Sequence, residues 1–499
     1  MEANTLRTKL KAQYIIGFDG RTHVYLRDAE LVYEGDSIVY VGKKFTGTCD
    51  REIDYGAAII SPGFIDLDAL GDIDHWYVTS EQQPGRSTSL LWSAEYYENE
   101  PHDSNPPEDE AFKSLHAYAA LIRNGITTAM PITSVLCKRW AETYEEIEAA
   151  AHHAGRLGLR VYLGPSYQSG MRVVLPDGTI EVRFKEDEGR KGLERAIRFA
   201  ENYEGKYGGQ VRAAIVPERI ETQTIENLIA SKKAADELGC PIRLHAAQGA
   251  FEYGWIRAHN DGKTPIQLLN EIGFLGARTS IPHILYTQGY SDIKENVPGD
   301  DRKILADTGT SGIHCPMVYA RGGTALEYFG RYRADGVNLA MGTDTFPPNM
   351  LDNIKIGSYM AQRVSGTAEG NRYRDFFEAA TLGGAKALGR DDLGRLCAGA
   401  KADIVVFDLS GIDIGPIQDP LRTLINSGTS REIRTSIING RTVMDDRRVC
   451  ALDGIDEHDM IARAQAYTTG MTQSYLERDY KRHSERELFP ESFAEVDSL

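Results

Sequence analysis

The sequence predicts an α/β protein: a parallel (β/α)8 TIM-type barrel carrying a small β-sandwich built from the N- and C-terminal segments. Three observations point there. Apolar, strand-like runs alternate with helix-period segments through the middle of the chain, as parallel strands with crossover helices require. Both ends instead carry short alternating strands punctuated by turn residues. A length of 499 residues at 41% hydrophobic content exceeds one typical domain and supplies a large core.

In chain order, residues 1–61 are read as the first part of the sandwich. Gln13-Tyr-Ile-Ile-Gly-Phe and Ala29-Glu-Leu-Val-Tyr-Glu-Gly-Asp-Ser-Ile-Val-Tyr-Val-Gly alternate apolar and polar residues around a hairpin turn. Residues 62–392 are read as the barrel. Helical Ala150-Ala-His-His-Ala-Gly-Arg-Leu-Gly-Leu leads into Arg160-Val-Tyr-Leu-Gly, Ala235-Asp-Glu-Leu-Gly leads into Pro241-Ile-Arg-Leu-His, and Val337-Asn-Leu-Ala-Met-Gly delivers Thr343 and Asp344. Groups at the C-terminal ends of such strands share one mouth, so His245, His283 and Asp344 can meet although they are far apart in sequence. From Pro84 to Glu110 the chain turns polar and proline-rich around Trp92, Tyr96 and Tyr97. That stretch reads as a long loop, either a lid that brings Trp92 to an apolar substrate or a plain surface insertion. Residues 393–455 complete the sandwich, with Asn439-Gly440 as a two-residue turn. Residues 456–499 form a charged helical tail whose Tyr467, Tyr475 and Tyr480 offer packing against the barrel or a neighbouring subunit.

The net charge of −17 argues against nucleic acid or an anionic membrane as partner, because phosphate binding needs clustered Lys and Arg. No run of about 20 apolar residues occurs and the N-terminus lacks a signal-peptide core, so the expected location is the cytoplasm. The six cysteines, Cys49, Cys137, Cys240, Cys315, Cys397 and Cys450, show no paired spacing and read as reduced. The expected partners are a small-molecule substrate and further copies of the chain, in a homodimer or higher homo-oligomer.

The chemistry lies in a few motifs. Ser61-Pro-Gly-Phe-Ile-Asp-Leu-Asp-Ala-Leu, Asn124-Gly-Ile-Thr-Thr, Arg243-Leu-His-Ala-Ala-Gln, Ile281-Pro-His-Ile-Leu, Met341-Gly-Thr-Asp-Thr, Ala379-Ala-Thr-Leu-Gly-Gly-Ala-Lys-Ala-Leu-Gly and Gly399-Ala-Lys-Ala-Asp-Ile-Val-Val follow one another along nearly the whole chain. In order and local context they resemble the metal-dependent amidohydrolase superfamily, in particular its chlorohydrolase and aromatic-base deaminase subgroup. The resemblance implies metal ligation by His245 and Asp344, with Asp344 also taking the proton of the attacking water, and a metal-binding or water-orienting role for His283.

Two departures from the family pattern stand out. The first strand, which should end in His-x-His, holds Asp68 and Leu70. Asp68 is an oxygen ligand or only a hydrogen-bonding carboxylate; Leu70 cannot coordinate; His75 is an alternative ligand. A degenerate first strand is similar to that of phenylurea and thiocarbamate hydrolases. Three residues beyond His245, the subgroup's proton-shuttling Glu is replaced by Gln248, which cannot titrate near neutral pH. Around the same mouth Arg172, Glu218, Arg219 and His314 are substrate-contact candidates or structural, and Phe346 should wall the pocket. Gly322-Gly323 and Gly383-Gly384 do not open helices in a phosphate-loop pattern.

These readings imply one divalent metal, zinc first, with iron, manganese and cobalt also suited to a nitrogen and oxygen shell. The expected reaction is hydrolysis of a C–N bond in an amide-, carbamate- or urea-like molecule by metal-activated water. The alternatives are a hydrolytic deaminase or dechlorinase of a heterocycle, and a non-catalytic barrel with a decayed metal site.

Overall fold

Parallel barrel strands are covered on both faces and therefore read as apolar runs, and the barrel strands of this chain are buried at every position but Ile132 and Arg212. The computed structural model describes residues 6–79, 86–99, 101–133, 138–295 and 297–496. The barrel strands are β1 (Phe64–Leu70), β2 (Ile126–Ile132), β3 (Arg160–Leu163), β4 (Val211–Ala213), β5 (Ile242–Arg243), β6 (Thr279–Pro282), β7 (Ser311–His314) and β8 (Leu339–Met341). They hydrogen-bond in the order β4-β3-β2-β1-β8-β7-β6-β5. A parallel bridge from Ile215 to Ile242 joins the continuation of β4 to β5 and closes the ring. Ile65, Leu67, Met130, Tyr162, Val216 and Ile313 fill the interior, so the barrel is a packed core with its chemistry confined to the mouth.

Local sequence sets the helix ends that feed these strands. Helix Tyr144–Leu157 starts at a reciprocal capping box between Thr143 and Glu146 and stops at Gly158, whose φ of 83° only glycine adopts cheaply. Helix Ile225–Leu238 starts with a one-way cap, the Thr224 hydroxyl accepting from the Asn227 N–H, and likewise stops at a left-handed glycine, Gly239.

The two strand-rich ends of the chain meet in one nine-stranded sheet, in which Ile433–Ile438, Ile404–Asp408, Ala58–Pro62, Arg7–Phe18 and His23–Glu34 are successive neighbours. A bridge from Ser37 to Lys401 folds the sheet over a core of its own, made of Leu10, Leu31, Ile38, Ile60, Ile404 and Val406. The alternate residues Ile59, Val405 and Phe407 face the barrel's core instead, as the two-residue period of a strand requires. Asn439 and Gly440 both have positive φ, 54° and 71°, the conformation their hairpin turn needs. Beside them the buried Arg160 of β3 pairs with Asp403 at 3.1 Å and with Asn439 at 3.0 Å, tying barrel to sheet.

Of the expected Pro84–Glu110 loop, Pro84 lies outside the described residues, as does Cys137. The described part of the remainder folds into regular elements. Trp92–Ser93 pairs with Gly170–Val174, which pairs with Ile180–Phe184 in a three-stranded accessory sheet. Trp92 is only 1% exposed there, ringed by Tyr96, Tyr97 and Trp140. The tail helix Glu457–Arg478 docks on the barrel helix Pro107–Arg123, where Met460, Tyr467 and Met471 pack with Ile73 and Phe112. Among the described residues, no helix is long and apolar enough to cross a membrane.

Candidate metal centre at the barrel mouth

Asp68, His245, His283 and Asp344 converge at the C-terminal ends of β1, β5, β6 and β8. The pairing of β1 with β2 shifts register between Asp66 and Ala69, a bulge of the kind that re-aims a side chain, and Asp68 sits inside it. Its Oδ2 lies 3.5 Å from His245 Nε2 and 3.8 Å from His283 Nε2. His283 Nε2 in turn lies 3.7 Å from Asp344 Oδ2, and the Asp344 N–H donates to the Asp68 carbonyl at 2.9 Å. His245 Nδ1 faces the Glu218 carbonyl at 3.0 Å; because a carbonyl only accepts, Nδ1 carries a proton, and Nε2 is the nitrogen turned toward Asp68.

Unpartnered buried atoms mark this place as a candidate cation site. Both ring nitrogens of His283 and Asp68 Oδ1 are buried without a hydrogen-bond partner, a condition that costs about 1–3 kcal/mol for each such group. Ala247, His283 and Asp344 adopt positive φ of 55°, 73° and 44°, strain of the sort stored at functional sites. The residues present therefore fit a divalent metal: two imidazoles and two carboxylates, open on the cavity side.

The electrostatics agree. Burial pushes His283 well below the ordinary imidazole range, which keeps it neutral and able to ligate. Burial, then the negative charges of Asp68 and Asp74, push Asp344 well above the ordinary carboxylate range, a direction that a bound cation would reverse. Burial also acts upward on Asp68, but His245 and Arg243 outweigh it and hold that carboxyl low. Beneath the site Asp66 accepts from the Thr343 hydroxyl at 2.6 Å and its N–H at 3.1 Å; burial raises its pKa to about 7.

A cavity of about 200 Å3 opens onto this centre. Leu70, Ile132 and Val318 give it apolar walls, and Glu218, Arg219, His245, Gln248 and Asp344 give it polar ones. His75 lines it too; the ligand atoms that all lie within 4.8 Å of one another belong to Asp68, His283 and Cys315, with His245 and Asp344, like His75, outside that group. Arg219 Nη1 donates to Gln248 Oε1, and its Nε donates to Glu218 at 2.8 Å. Tyr319 sets its ring edge-on to His283, 4.9 Å between centroids.

The other expected contacts sit elsewhere. Arg172 lies on the accessory sheet, its Nε 3.8 Å from Glu221. His314 is buried between Phe329 and Phe376, where burial lowers its pKa to about 3. Phe346 stacks on His116 and meets the Tyr77 ring at a tilt. With Trp92 packed in the accessory sheet, none of these four lines the cavity.

Sequence reasoning also missed neighbours of the centre. Arg243, 1% exposed, donates to the carbonyls of Leu67, Met130 and Pro131 at 3.1, 2.6 and 3.0 Å and faces Asp68 Oδ1 at 3.4 Å. Its place two residues before His245 on an inward-facing strand was the available signal. Asp74 clamps the loop after β8 by accepting from the Phe346 N–H at 2.8 Å and the Thr345 hydroxyl at 3.1 Å.

Comparison with known proteins agrees with this geometry. The chain is 25% identical over 435 residues to a 5'-deoxyadenosine deaminase of Methanosarcina barkeri, covering 86% of this chain and 90% of that one. It is 25% identical over 463 residues to a 5-methylthioadenosine/S-adenosylhomocysteine deaminase of Pelotomaculum thermopropionicum, covering 90% and 95%. Among solved structures, a zinc-bound adenosine deaminase of Xanthomonas campestris superposes with a TM-score of 0.73 at 20% identity over 93% of this chain and 98% of that one. An atrazine chlorohydrolase of Arthrobacter aurescens in complex with zinc gives 0.71 at 20% identity over 92% and 100%. At such identities these two likenesses show the fold. The model of the Amidohydrolase family matches residues 59–443, from the last sandwich strand before the barrel to the sheet that follows it. The chain belongs to the amidohydrolase family and is a metal-dependent hydrolase of C–N bonds.

Proposed function

We propose that the chain is a one-metal hydrolase that opens the C–N bond of an amide-, carbamate- or urea-like small molecule. The observation that carries this reading is the Arg219–Gln248 pair. With its oxygen engaged by the guanidinium, the Gln248 amide offers its NH2 group as a donor, so the cavity presents N–H donors from Gln248 and Arg219 beside the ligand cluster. A substrate carbonyl oxygen, gaining negative charge as water adds, is stabilised by such donors.

His245 and His283 supply neutral imidazole nitrogens, and Asp68 and Asp344 supply carboxylate oxygens. When bound, a divalent ion, zinc first, lowers the pKa of a water and polarises the carbonyl. Asp344 Oδ2 takes the proton of the attacking water as the O–C bond forms and gives it to the nitrogen as the C–N bond breaks. The products are then a neutral amine and the acid fragment. Leu70, Ile132 and Val318 favour a substrate with an apolar part.

A second reading, hydrolytic deamination of an amino-heterocycle, is favoured by the names of the relatives. It requires an acid for the ring nitrogen, which Gln248 cannot be. The test is a panel of ureas, anilides, carbamates, amino- and chloro-heterocycles and 5'-deoxyadenosine, incubated with metal-loaded protein. Amine release from the acyl substrates is expected. Ammonia or chloride release exceeding it overturns the proposal in favour of the second reading.

A further inference from the structure

The floor of the metal centre holds a thiol that the four-residue ligand set leaves out. Cys315 follows β7 directly, is wholly buried, and its S–H donates to Asp68 Oδ2 across 3.7 Å, a proton that a metal would displace. Asp68, His283 and Cys315 each offer a ligand atom, and these atoms all lie within 4.8 Å of one another. With metal–sulfur bonds of about 2.3 Å and metal–oxygen bonds of about 2.1 Å, an angle of roughly 110° at the metal puts the two ligands about 3.6 Å apart. The sulfur therefore stands at ligand spacing from the carboxylate.

Two further features point to the same use. His283 is 0% exposed with neither ring nitrogen partnered, so a polar group aimed at this spot lacks what it should bind. Gly342, after β8, is where carboxylate and thiol converge: a Cβ there would lie 2.7 Å from Asp68 Cβ and 2.8 Å from Cys315 Sγ. Any larger residue would push the two apart. Meanwhile Leu70, at the end of β1, offers no donor atom at all.

We propose that Cys315 is a metal ligand, its sulfur binding the same ion as Asp68 Oδ2 and His283 Nε2 and supplying a donor where Leu70 has none. The proposal rests on the metal-site reading above. On metal uptake the S–H proton passes to solvent and an S–metal bond forms, with no change in oxidation state. A shell of nitrogen, oxygen and sulfur selects zinc or cobalt over manganese or magnesium, because thiolates prefer softer ions.

X-ray absorption at the zinc edge of the zinc-loaded full chain tests this directly, and the unsubstituted protein alone decides it. One sulfur neighbour at about 2.3 Å is expected beside nitrogen and oxygen neighbours. The cobalt-loaded chain should show a thiolate-to-cobalt charge-transfer band. In Cys315→Ser both signals should vanish, and zinc affinity should fall by more than the roughly 10- to 100-fold that loss of an outer-shell partner costs. Zinc bound at one per chain with only nitrogen and oxygen neighbours overturns the proposal while leaving the metal site intact, and returns Cys315 to a packing role with Ile313 and Ala340. A chain that takes up no metal overturns the site reading and the proposal together.

Discussion

Two clusters of buried charge lie close to the barrel mouth, and they are built in opposite ways. Around Lys113 every charge is answered: its Nζ lies 2.7 Å from Glu110 and 3.1 Å from Glu146, Lys138 contacts both acids, and the Tyr467 hydroxyl adds a donor to Glu110 at 3.3 Å. Around Asp68, the Arg243 guanidinium and His245 Nε2 face the carboxylate at 3.4 and 3.5 Å, but neither ring nitrogen of the buried His283 has a hydrogen-bond partner. Two cations against two anions make a closed structural clamp between helices Pro107–Arg123 and Tyr144–Leu157, pinned by the tail helix. The second cluster is closed only by an added cation. A buried charge is thus a functional signal when its partners are missing, and a structural one when they are all present.

Exchanging damage between the clusters should produce opposite phenotypes. His283→Ala should cut turnover about a thousandfold, some 4 kcal/mol of transition-state stabilisation, with little loss of thermal midpoint. Lys113→Met should leave metal content per folded chain unchanged but cost about 3–5 kcal/mol of stability, because it strands buried carboxylates. Thermal unfolding and metal analysis of both variants check this, and matching phenotypes would erase the distinction.

Smaller effects sharpen it. Asp68→Asn keeps the shape but removes the charge, so metal retention against a chelator should drop by roughly tenfold or more at nearly unchanged stability. Normal metal content and turnover would make Asp68 structural. Gln248→Glu puts a carboxylate beside the developing oxyanion and should lower turnover on the acyl substrate about tenfold, or about 1.4 kcal/mol. A gain on amino-heterocycles would instead mark a deaminase.

The clamp also sets a pH dependence. Despite burial, Lys113 and Lys138 hold Glu146 well below the ordinary carboxylate range. Its folded-state pKa is below the unfolded value of about 4.3, so its stabilising contribution is full above that value and is lost as the pH falls through the depressed one. The thermal midpoint should therefore decline on the acid side below about pH 4.3, and Lys113→Met should flatten that slope. An unchanged slope would show that Glu146 gains nothing from its lysines.

How much of this was legible depends on whether the information is local. His245, His283 and Asp344 stood out because each lies in a short motif at a strand end, and the barrel and the two-part sandwich followed from periodicity and turn residues such as Asn439-Gly440. Arg243 did not, because what matters is its contact with Asp68 and with the carbonyls of β1 and β2, and no local pattern encodes an encounter across the barrel. Cys315 stood only among six cysteines without paired spacing, beside the candidate His314, which the fold packs between phenylalanines. Trp92 misled for a related reason: an aromatic in a polar stretch reads as a substrate contact, whereas Tyr96, Tyr97 and Trp140 supply it with a core. The orientation of the Gln248 amide was equally hidden, since it depends on Arg219 from another strand end.

The central claim is that the Asp68 cluster is open for one cation and the Lys113 cluster for none. Elemental analysis of the purified chain, set beside His283→Ala and Lys113→Met, measures this most directly. The account predicts one divalent ion per chain, lost in His283→Ala and kept in folded Lys113→Met. Two tightly bound ions per chain, or one that survives in His283→Ala, would contradict it.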